Sequence, residues 1–415
     1  MQFHILSFEG PDLYSRAGGL ATRVTGLGDT LSALGFETHV WFVGDPSLPG
    51  HERRDDLHLH RWSQWVSRHH PDGVYDGELG KQADYGASLP PYLATHVIEP
   101  YVRRGGRAVV LAEEWQTVNA VLHLHWLLRW AGIRERVSLL WNANNTFGFE
   151  QIPWHQLGEA AEITTVSRYM KHRMHEVGVD PRVVPNGLGP DAFDRPDRGA
   201  VAALRGRFRD RTVLTKMARW DPDKRWIETV DIVSEMKRQG WRPLLLARGG
   251  SEPHGQEVLR AAGDRGLSVV DRTWSGAGSK GLLGALQDVG DADVVNLRSH
   301  VDADARRVLF RGADAVLANS GHEPFGLVGL ETMAAGGVAC TGCSGEDYAV
   351  PGQNALVLET GEAAEFLGLY DRLRNDRDEH RRMRRAGRAT ARGYAWPSVV
   401  QGVLMPRVEL SRRAS

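Results

Sequence analysis

The sequence predicts an α/β protein built from two doubly wound, Rossmann-like parallel-sheet domains. Three observations predict it. Short apolar runs of strand length alternate with amphipathic helical patterns, and glycine-containing turns stand between them. A stretch rich in Gly, Pro and Asp, with little periodicity, then interrupts the alternation near the middle of the chain. The 415 residues suffice for two or three domains, at roughly 150 residues each.

Phe3–Phe8 is the first strand-like run, broken by Gly10-Pro11. Leu20, Val24, Leu27, Leu31 and Leu34 then recur at spacings of four and three, which is one helical face. Gly35 stands where a helix-ending glycine belongs, and Thr38–Val43 is the next strand, completing a βαβ unit. Residues 45–105 are less regular and read as insertions plus a helix near Leu89–Val102. Val109–Ala112, Ser138–Trp141 and Glu162–Val166 are further strands, and the aperiodic stretch runs from Asn186 to Pro196. Beyond it come strands at Thr212–Met217, Leu244–Ala247, Val269-Val270, Val294–Leu297, Ala315–Ala318 and Ala355–Leu358. A helix covers Ile227–Met236 and stops at Gly240, and the tail from Ala363 is helical. The expected division is an N-terminal domain over 1–195, a second domain over 196–390 and a C-terminal segment over 391–415. Ligands of such sheets bind outside the strand carboxyl ends, so the site is expected in the cleft between the domains.

Composition narrows the function. There are 51 Lys and Arg against 52 Asp and Glu, without the basic excess of a nucleic-acid binder. Two cysteines exclude a disulfide framework and a four-cysteine zinc site. They form Cys340-x-x-Cys343, but glycines and a serine surround the pair, which does not suit a strand–C-x-x-C–helix redox motif. No apolar run reaches the ~18 residues of a membrane span. Met1–Phe8 lacks the charged start of a signal peptide, so a cytoplasmic location is expected.

The strongest chemical signal is Ser320-Gly-His-Glu323-Pro-Phe-Gly326-Leu327-Val328-Gly-Leu-Glu331, following the strand Ala315–Ala318. Glu323 falls in a loop, and Glu331 falls inside the helix that opens near Gly326. The first amides of that helix suit a phosphate, and a carboxylate on each side accepts hydrogen bonds from sugar hydroxyls. Glycine at 326 and 329 is expected to let a ligand approach the backbone. The plain alternative is a capped helix with two solvated glutamates. Arg219 and Lys224 follow the strand Thr212–Met217 and suit a diphosphate leaving group. Their plain alternative is a loop salt-bridged to Asp221 and Asp223.

On these residues the chain resembles the retaining GT-B glycosyltransferases of family four, relatives of glycogen and starch synthases. Glu323 and Glu331 match that family's Glu-x7-Glu pattern. The resemblance implies that Glu323 contacts the donor sugar hydroxyls and Glu331 the ribose. It implies that the amides around Gly326, Leu327 and Val328 hold sugar and phosphate, and that Arg219 and Lys224 hold the diphosphate. Arg16-Ala-Gly18-Gly19-Leu20 resembles the family's glycine loop, and its free amides are expected to form an anion site. Trp115-Gln-Thr117, Thr165-Val-Ser167, Val184-Pro-Asn186-Gly187 and Tyr394-Ala-Trp396 carry the resemblance along almost the full chain; the last implies a final helix crossing back to the first domain.

There are departures. Asn144 stands where the family commonly has a histidine near the reacting carbon, and Gln116 replaces another. An amide holds a hydroxyl but takes no proton at neutral pH. His123 and His125 are nearby but do not share a helical face. Gly276-Ala-Gly278-Ser-Lys-Gly281 has a dinucleotide-binding spacing without a first-strand context. The arginines of 372–392 are interleaved with acids and read as a solvated helix.

The expected function is transfer of a sugar from a nucleotide-diphosphate donor to an unidentified acceptor hydroxyl, and the resemblance implies an α-glycoside product and no metal requirement. No cofactor beyond the co-substrate is expected. A front-face substitution fits, with Glu323, Arg219 and Lys224 as the catalytic group and Asn144, Gly18 and Gly19 contributing to substrate binding. A nucleotide-sugar epimerase of the same fold and a non-catalytic sugar-nucleotide-binding protein are the alternatives. The oligomeric state is not readable from the sequence.

Overall fold

In a computed structural model, described over residues 1–411, the chain forms two compact units. One runs from Met1 to Gly187 and resumes at Trp396; the other is Leu188–Ala395. The divisions fall at 187/188 and 395/396 rather than at the expected 195/196 and 390/391. The reason is local: Leu188 pairs with Ala395 as a parallel bridge, and the Leu188 amide donates to the Tyr394 carbonyl at 2.8 Å. Those pairings place 188–195 and 391–395 with the second unit.

The first unit holds an eight-stranded sheet: β1 (Gln2–Leu6), β2 (Glu37–Val43), β3 (His51–Arg54), β4 (Leu57–Trp62), β5 (Ala108–Glu113), β6 (Val137–Ala143), β7 (Glu162–Thr165) and β8 (Arg182–Val183). Their order is β3-β4-β2-β1-β5-β6-β7-β8, and only β3 and β4 pair antiparallel. Burial on both faces explains why β1, β2 and β5 read as continuous apolar runs. The helix Gly19–Ala33 packs Leu20, Val24, Leu27 and Leu31 against Phe3, Ile5 and Val40, as its spacing predicts.

The region 45–105 is more ordered than its composition suggests. It supplies the β3–β4 hairpin, whose Leu57-His-Leu-His-Arg-Trp62 alternates buried and half-buried residues. It then forms one helical stretch from Glu78 to Arg103 rather than from Leu89. Pro90 and Pro91 withhold two amide donors, and a wider π turn follows at Leu93–Ile98.

The second unit holds seven strands, all paired parallel: β9 (Thr212–Met217), β10 (Pro243–Arg248), β11 (Val269–Arg272), β12 (Val294–Leu297), β13 (Ala315–Ala318), β14 (Ala339–Thr341) and β15 (Leu356–Val357). Their order is β11-β12-β10-β9-β13-β14-β15, with an apolar cluster on each face. The glycine pattern of 276–281 follows β11, an edge strand, so it lacks the first-strand context of a dinucleotide site. Cys340 lies buried in β14 and Cys343 is exposed beyond it; both are free thiols.

The last helices return to the first unit by burying Trp396, Val399, Val400 and Leu404 in its core. A β-carbon on Gly26 or Gly187 would lie 2.2 or 2.4 Å from the Trp396 ring, so both positions must be glycine for the indole to seat. The Arg23 guanidinium stands 5.8 Å from the same ring. It bonds both Glu113 oxygens at 3.0 Å and Asn186 Oδ1 at 2.9 Å. Both partners of the Arg23–Glu113 pair are essentially fully buried. Removing one leaves the other charge buried and uncompensated. Glu113→Ala should therefore lose about 3–5 kcal/mol of stability, seen as a lower urea midpoint; a midpoint equal to wild type would contradict this account of the pair.

Candidate active site

In the second sheet, β9 has β10 on one side and β13 on the other. The strand order reverses there, and ligands of such sheets bind at that point, outside the strand carboxyl ends. Lys224 belongs to the loop after β9 and Glu323 to the loop after β13. They meet: Lys224 Nζ is 2.6 Å from Glu323 Oε2, with the side chains 17% and 20% exposed. The Gly321 amide donates to the Asp223 carbonyl at 2.7 Å, tying the loops together. The Glu323 amide donates to Ser344 Oγ at 2.9 Å, adding the loop after β14.

The partners differ from those of the two plain alternatives. Lys224 does not pair with its neighbouring aspartates: Asp221 accepts the Asp223 amide at 2.9 Å, and Asp223 faces His322 at 3.6 Å. Glu323 is held by Lys224 and keeps a fifth of its side chain exposed. Arg225 has a φ of 51°, a left-handed conformation costly for a residue with a β-carbon. It lets the short Pro222–Lys224 turn end and the helix Trp226–Arg238 begin with no spacer, which fixes Lys224 at the helix entrance. Arg219 is exposed, and its side chain has no partner among the described residues; its carbonyl accepts the Trp226 indole N–H at 2.8 Å.

Glu331 lies in the second turn of the helix Leu327–Ala335, 3.5 Å from Arg306 on the helix Ala303–Gly312. Burial raises its carboxyl pKa, and Arg306 draws it down. Arg306 has no motif around it and was not foreseen. The helix opens at Gly326 with no side-chain cap; the Leu327 amide donates back to the Phe325 carbonyl at 3.1 Å, and the Val328 amide after it is left to outside partners.

The two glycines have another cause than the one expected. A β-carbon at Gly326 would lie 2.8 Å from Glu346 Cγ, and one at Gly329 would lie 2.5 Å from the Tyr348 hydroxyl. The chain's own packing requires them, whether or not a ligand approaches. Tyr348 also donates its hydroxyl to the Gly326 carbonyl.

Glu346 was missed. It is 5% exposed, and neither carboxyl oxygen has a hydrogen-bond partner. Burial, then the nearby Glu323, push its pKa up to about 8; the amides of Glu346 and Ser344 lie too loosely to bond it and offset this only in part. Next to it, a β-carbon on Gly345 would meet the Glu323 carbonyl at 2.0 Å, so the chain there must be glycine. Lys216 was missed as well. Buried on β9, it donates to Asn319 Oδ1 at 2.7 Å, and burial lowers its pKa to about 7.

In the first unit the glycine loop is not a vacant anion site. Ala17, Gly18 and Ala21 donate their amides to Glu9 Oε2 at 3.2, 3.0 and 3.1 Å, so the chain's own carboxylate fills it. Tyr75 donates to the other Glu9 oxygen at 2.7 Å. A β-carbon at Gly18 or Gly19 would meet nothing within 4 Å. Asn144 is also committed: its side-chain amide donates to Glu113 Oε2 at 2.8 Å and its backbone amide to Glu114 Oε1 at 2.6 Å. Gln116 donates to Glu78 at 2.9 Å, while its carbonyl oxygen stays buried without a partner. His123 bonds the Gly86 carbonyl and His125 accepts from Arg134, both at 3.1 Å.

The raised Glu346 pKa has a sign. From the ordinary value of 4.5 up to about 8 the folded chain holds a proton that the unfolded chain has lost, so this group makes stability fall as pH rises. Glu346→Gln, a neutral isostere, should melt at the same temperature as wild type near pH 4 and above it at pH 8. Equal melting temperatures at both pH values would refute the buried, unpaired carboxyl.

Residues 256–390 match the family described as glycosyl transferases group 1. A D-inositol 3-phosphate glycosyltransferase of Frankia alni is 32% identical over 417 residues, 94% of this chain and 93% of that protein. A protein of the same name from Segniliparus rotundus is 28% identical over 60% of this chain, and one from Nocardia farcinica 35% identical over 54%. The chain spans about half the length of these two relatives, 53% and 46%. Among solved structures, the catalytic domain of starch synthase IV from Arabidopsis thaliana, bound to ADP and acarbose, superposes with a TM-score of 0.67 at 14% identity over 99% of each chain. Sucrose-phosphate synthase from Thermosynechococcus elongatus superposes with a TM-score of 0.66 at 18% identity over 100% of each.

Proposed function

We propose that this chain, which belongs to the GT-B glycosyltransferases of the family-four type, moves a sugar from a nucleotide-diphosphate donor to an acceptor hydroxyl with retention of configuration. The observation that carries the reading is the Lys224–Glu323 pair at the reversal point of the second sheet. A lone ammonium there would attract any anion. One already neutralised by a carboxylate at 2.6 Å yields to a ligand that brings both a diphosphate for the lysine and hydroxyls for the glutamate.

In this reading the diphosphate draws Lys224 away and recruits the exposed Arg219. Both cations then neutralise charge that grows on the leaving oxygen in the transition state. Glu323, released, accepts hydrogen bonds from sugar hydroxyls and fixes the anomeric carbon. Glu331, steadied by Arg306, holds the ribose. The first amides of the Leu327–Ala335 helix take a phosphate oxygen. The acceptor attacks on the face from which the diphosphate leaves and passes its proton to that diphosphate. The protein contributes position and charge. Fixed cations do this work, so transfer is expected to persist in excess EDTA.

The acceptor class comes from the relatives. The Frankia alni protein, matched over nearly its whole length, is named for D-inositol 3-phosphate, so that phosphorylated polyol is the first acceptor to offer. Nucleoside diphosphate release, measured across several nucleotide sugars with and without this acceptor, tests the reading. Release that depends on acceptor supports transfer, whereas no release with any donor would refute it.

Two variants test the assignments. Lys224→Ala should lower transfer on the order of 100-fold with a native circular dichroism spectrum; wild-type turnover would remove the lysine from the site. Glu331→Ala should weaken nucleoside diphosphate binding by about 1.5–3 kcal/mol, and an unchanged dissociation constant in titration calorimetry would remove the ribose contact.

A further inference from the structure

The strands at one end of the first sheet carry five histidines: His4 on β1, His39 on β2, His58 and His60 on β4, and His51 on β3. The pairing registers set His4 beside His39, His39 beside His58, and His51 beside His60. Residues opposite one another in register share a sheet face, so the imidazoles form one ladder across four strands. The rings stack accordingly. The His39–His58 centroids are 4.5 Å apart, the His51–His60 centroids 4.7 Å and the His4–His39 centroids 4.9 Å, and Trp41 covers His60 at 3.7 Å.

Stacking alone would be served by any aromatic residue. The nitrogens are what imidazole adds, and their arrangement has a direction. The Trp41 indole is only a donor, and its N–H faces His4 Nδ1 at 3.4 Å. His4 must then carry its proton on Nε2 and give it to Gln2 Oε1 at 3.1 Å. That orients the Gln2 amide to donate to His39 Nε2 at 3.1 Å, and His39 Nδ1 to donate to His60 Nε2 at 2.9 Å. The chain of donors runs outward from the core to His60.

At its outer end, one nitrogen each from His39, His58 and His60 lie within 4.8 Å of one another. We propose that His39, His58 and His60 bind one divalent transition-metal ion of the zinc, cobalt, nickel or copper type, a site separate from the donor-binding residues. Three imidazoles suit these borderline ions; the rings, 10 to 21° from parallel, turn to aim their lone pairs at metal–nitrogen bonds of about 2.0–2.1 Å. If His39 Nδ1 turns to the metal, its proton moves to Nε2; the Gln2 amide must then turn away from that nitrogen, and Glu37 Oε1, 3.4 Å away, stands as its acceptor. That is the carboxylate–histidine–metal arrangement, and no net proton is released. His51 is exposed, with Nε2 3.2 Å from His58 Nδ1, so the site opens to solvent on the β3 side.

Full-length protein without a polyhistidine tag, stripped with EDTA, tests this by titration with Co2+. Visible ligand-field absorption should rise, saturate at one equivalent and vanish when Zn2+ is added. His58→Gln should bind at least ~10-fold more weakly with a native circular dichroism spectrum. Glu37→Gln, at a half-exposed position that leaves all ligands intact, should weaken binding by roughly 10-fold. Zn2+ should raise the melting temperature of wild type but not of His58→Gln, while sugar transfer by the stripped wild type is unchanged. Absence of saturable 1:1 absorption, or equal Co2+ affinity in wild type and both variants, would overturn the proposal.

Discussion

A parallel sheet grows from its first strand in one direction and then in the other, and this reversal governs the rest of the molecule. Each unit here makes it once, between β1 and β5 in the first sheet and between β9 and β13 in the second. At such points ligands of parallel sheets bind, outside the strand carboxyl ends. The chemistry-bearing side chains gather there. Glu9 follows β1, Glu113 ends β5 with Glu114 just beyond it, Lys224 follows β9, and Glu323 follows β13.

The two reversal points treat charge differently, and that difference separates structure from function. In the first unit most of this charge is compensated internally, although burial still pushes the Glu114 carboxyl up to about 8. Glu9 takes three loop amides and the Tyr75 hydroxyl, and Glu113 takes Arg23, Asn142 and Asn144. Such a network is costly to break and has little left to offer a ligand. In the second unit the compensation is partial. Lys224 and Glu323 satisfy one another, but Arg219 points unpaired into solvent, the helix at Leu327 has no cap, and Glu346 is buried with nothing to accept from. Uncompensated groups of this kind make the second unit the donor side of the proposed reaction.

Much of the architecture was readable because its strands are buried on both faces. Thr212–Met217, Val294–Leu297 and Ala315–Ala318 end where their apolar runs end. The strands that escaped notice lacked such runs. β4 alternates leucine with histidine, which looks like a polar loop until its partners β2 and β3 are known, and β14 is three residues set among glycines. The boundary near residue 190 was displaced because a single bridge, Leu188 to Ala395, joins segments more than 200 residues apart.

The sequence by itself determined the α/β class, the alternation of elements and the Glu-x7-Glu spacing, because period and spacing are local properties of a chain. Tertiary structure alone decided which charges meet. Lys224 chose Glu323 over the aspartates one and three residues away, because the 3-10 turn and the left-handed Arg225 aim it across the strand reversal. Glu9 filled the glycine loop that appeared vacant, and Glu346 was closed in beneath Gly326. Five histidines scattered over residues 4 to 60 became one ladder only when four strands set them in register. Pairings of this kind depend on sheet order and on burial, which raises the energy of every unmatched charge and so selects the few arrangements that match them.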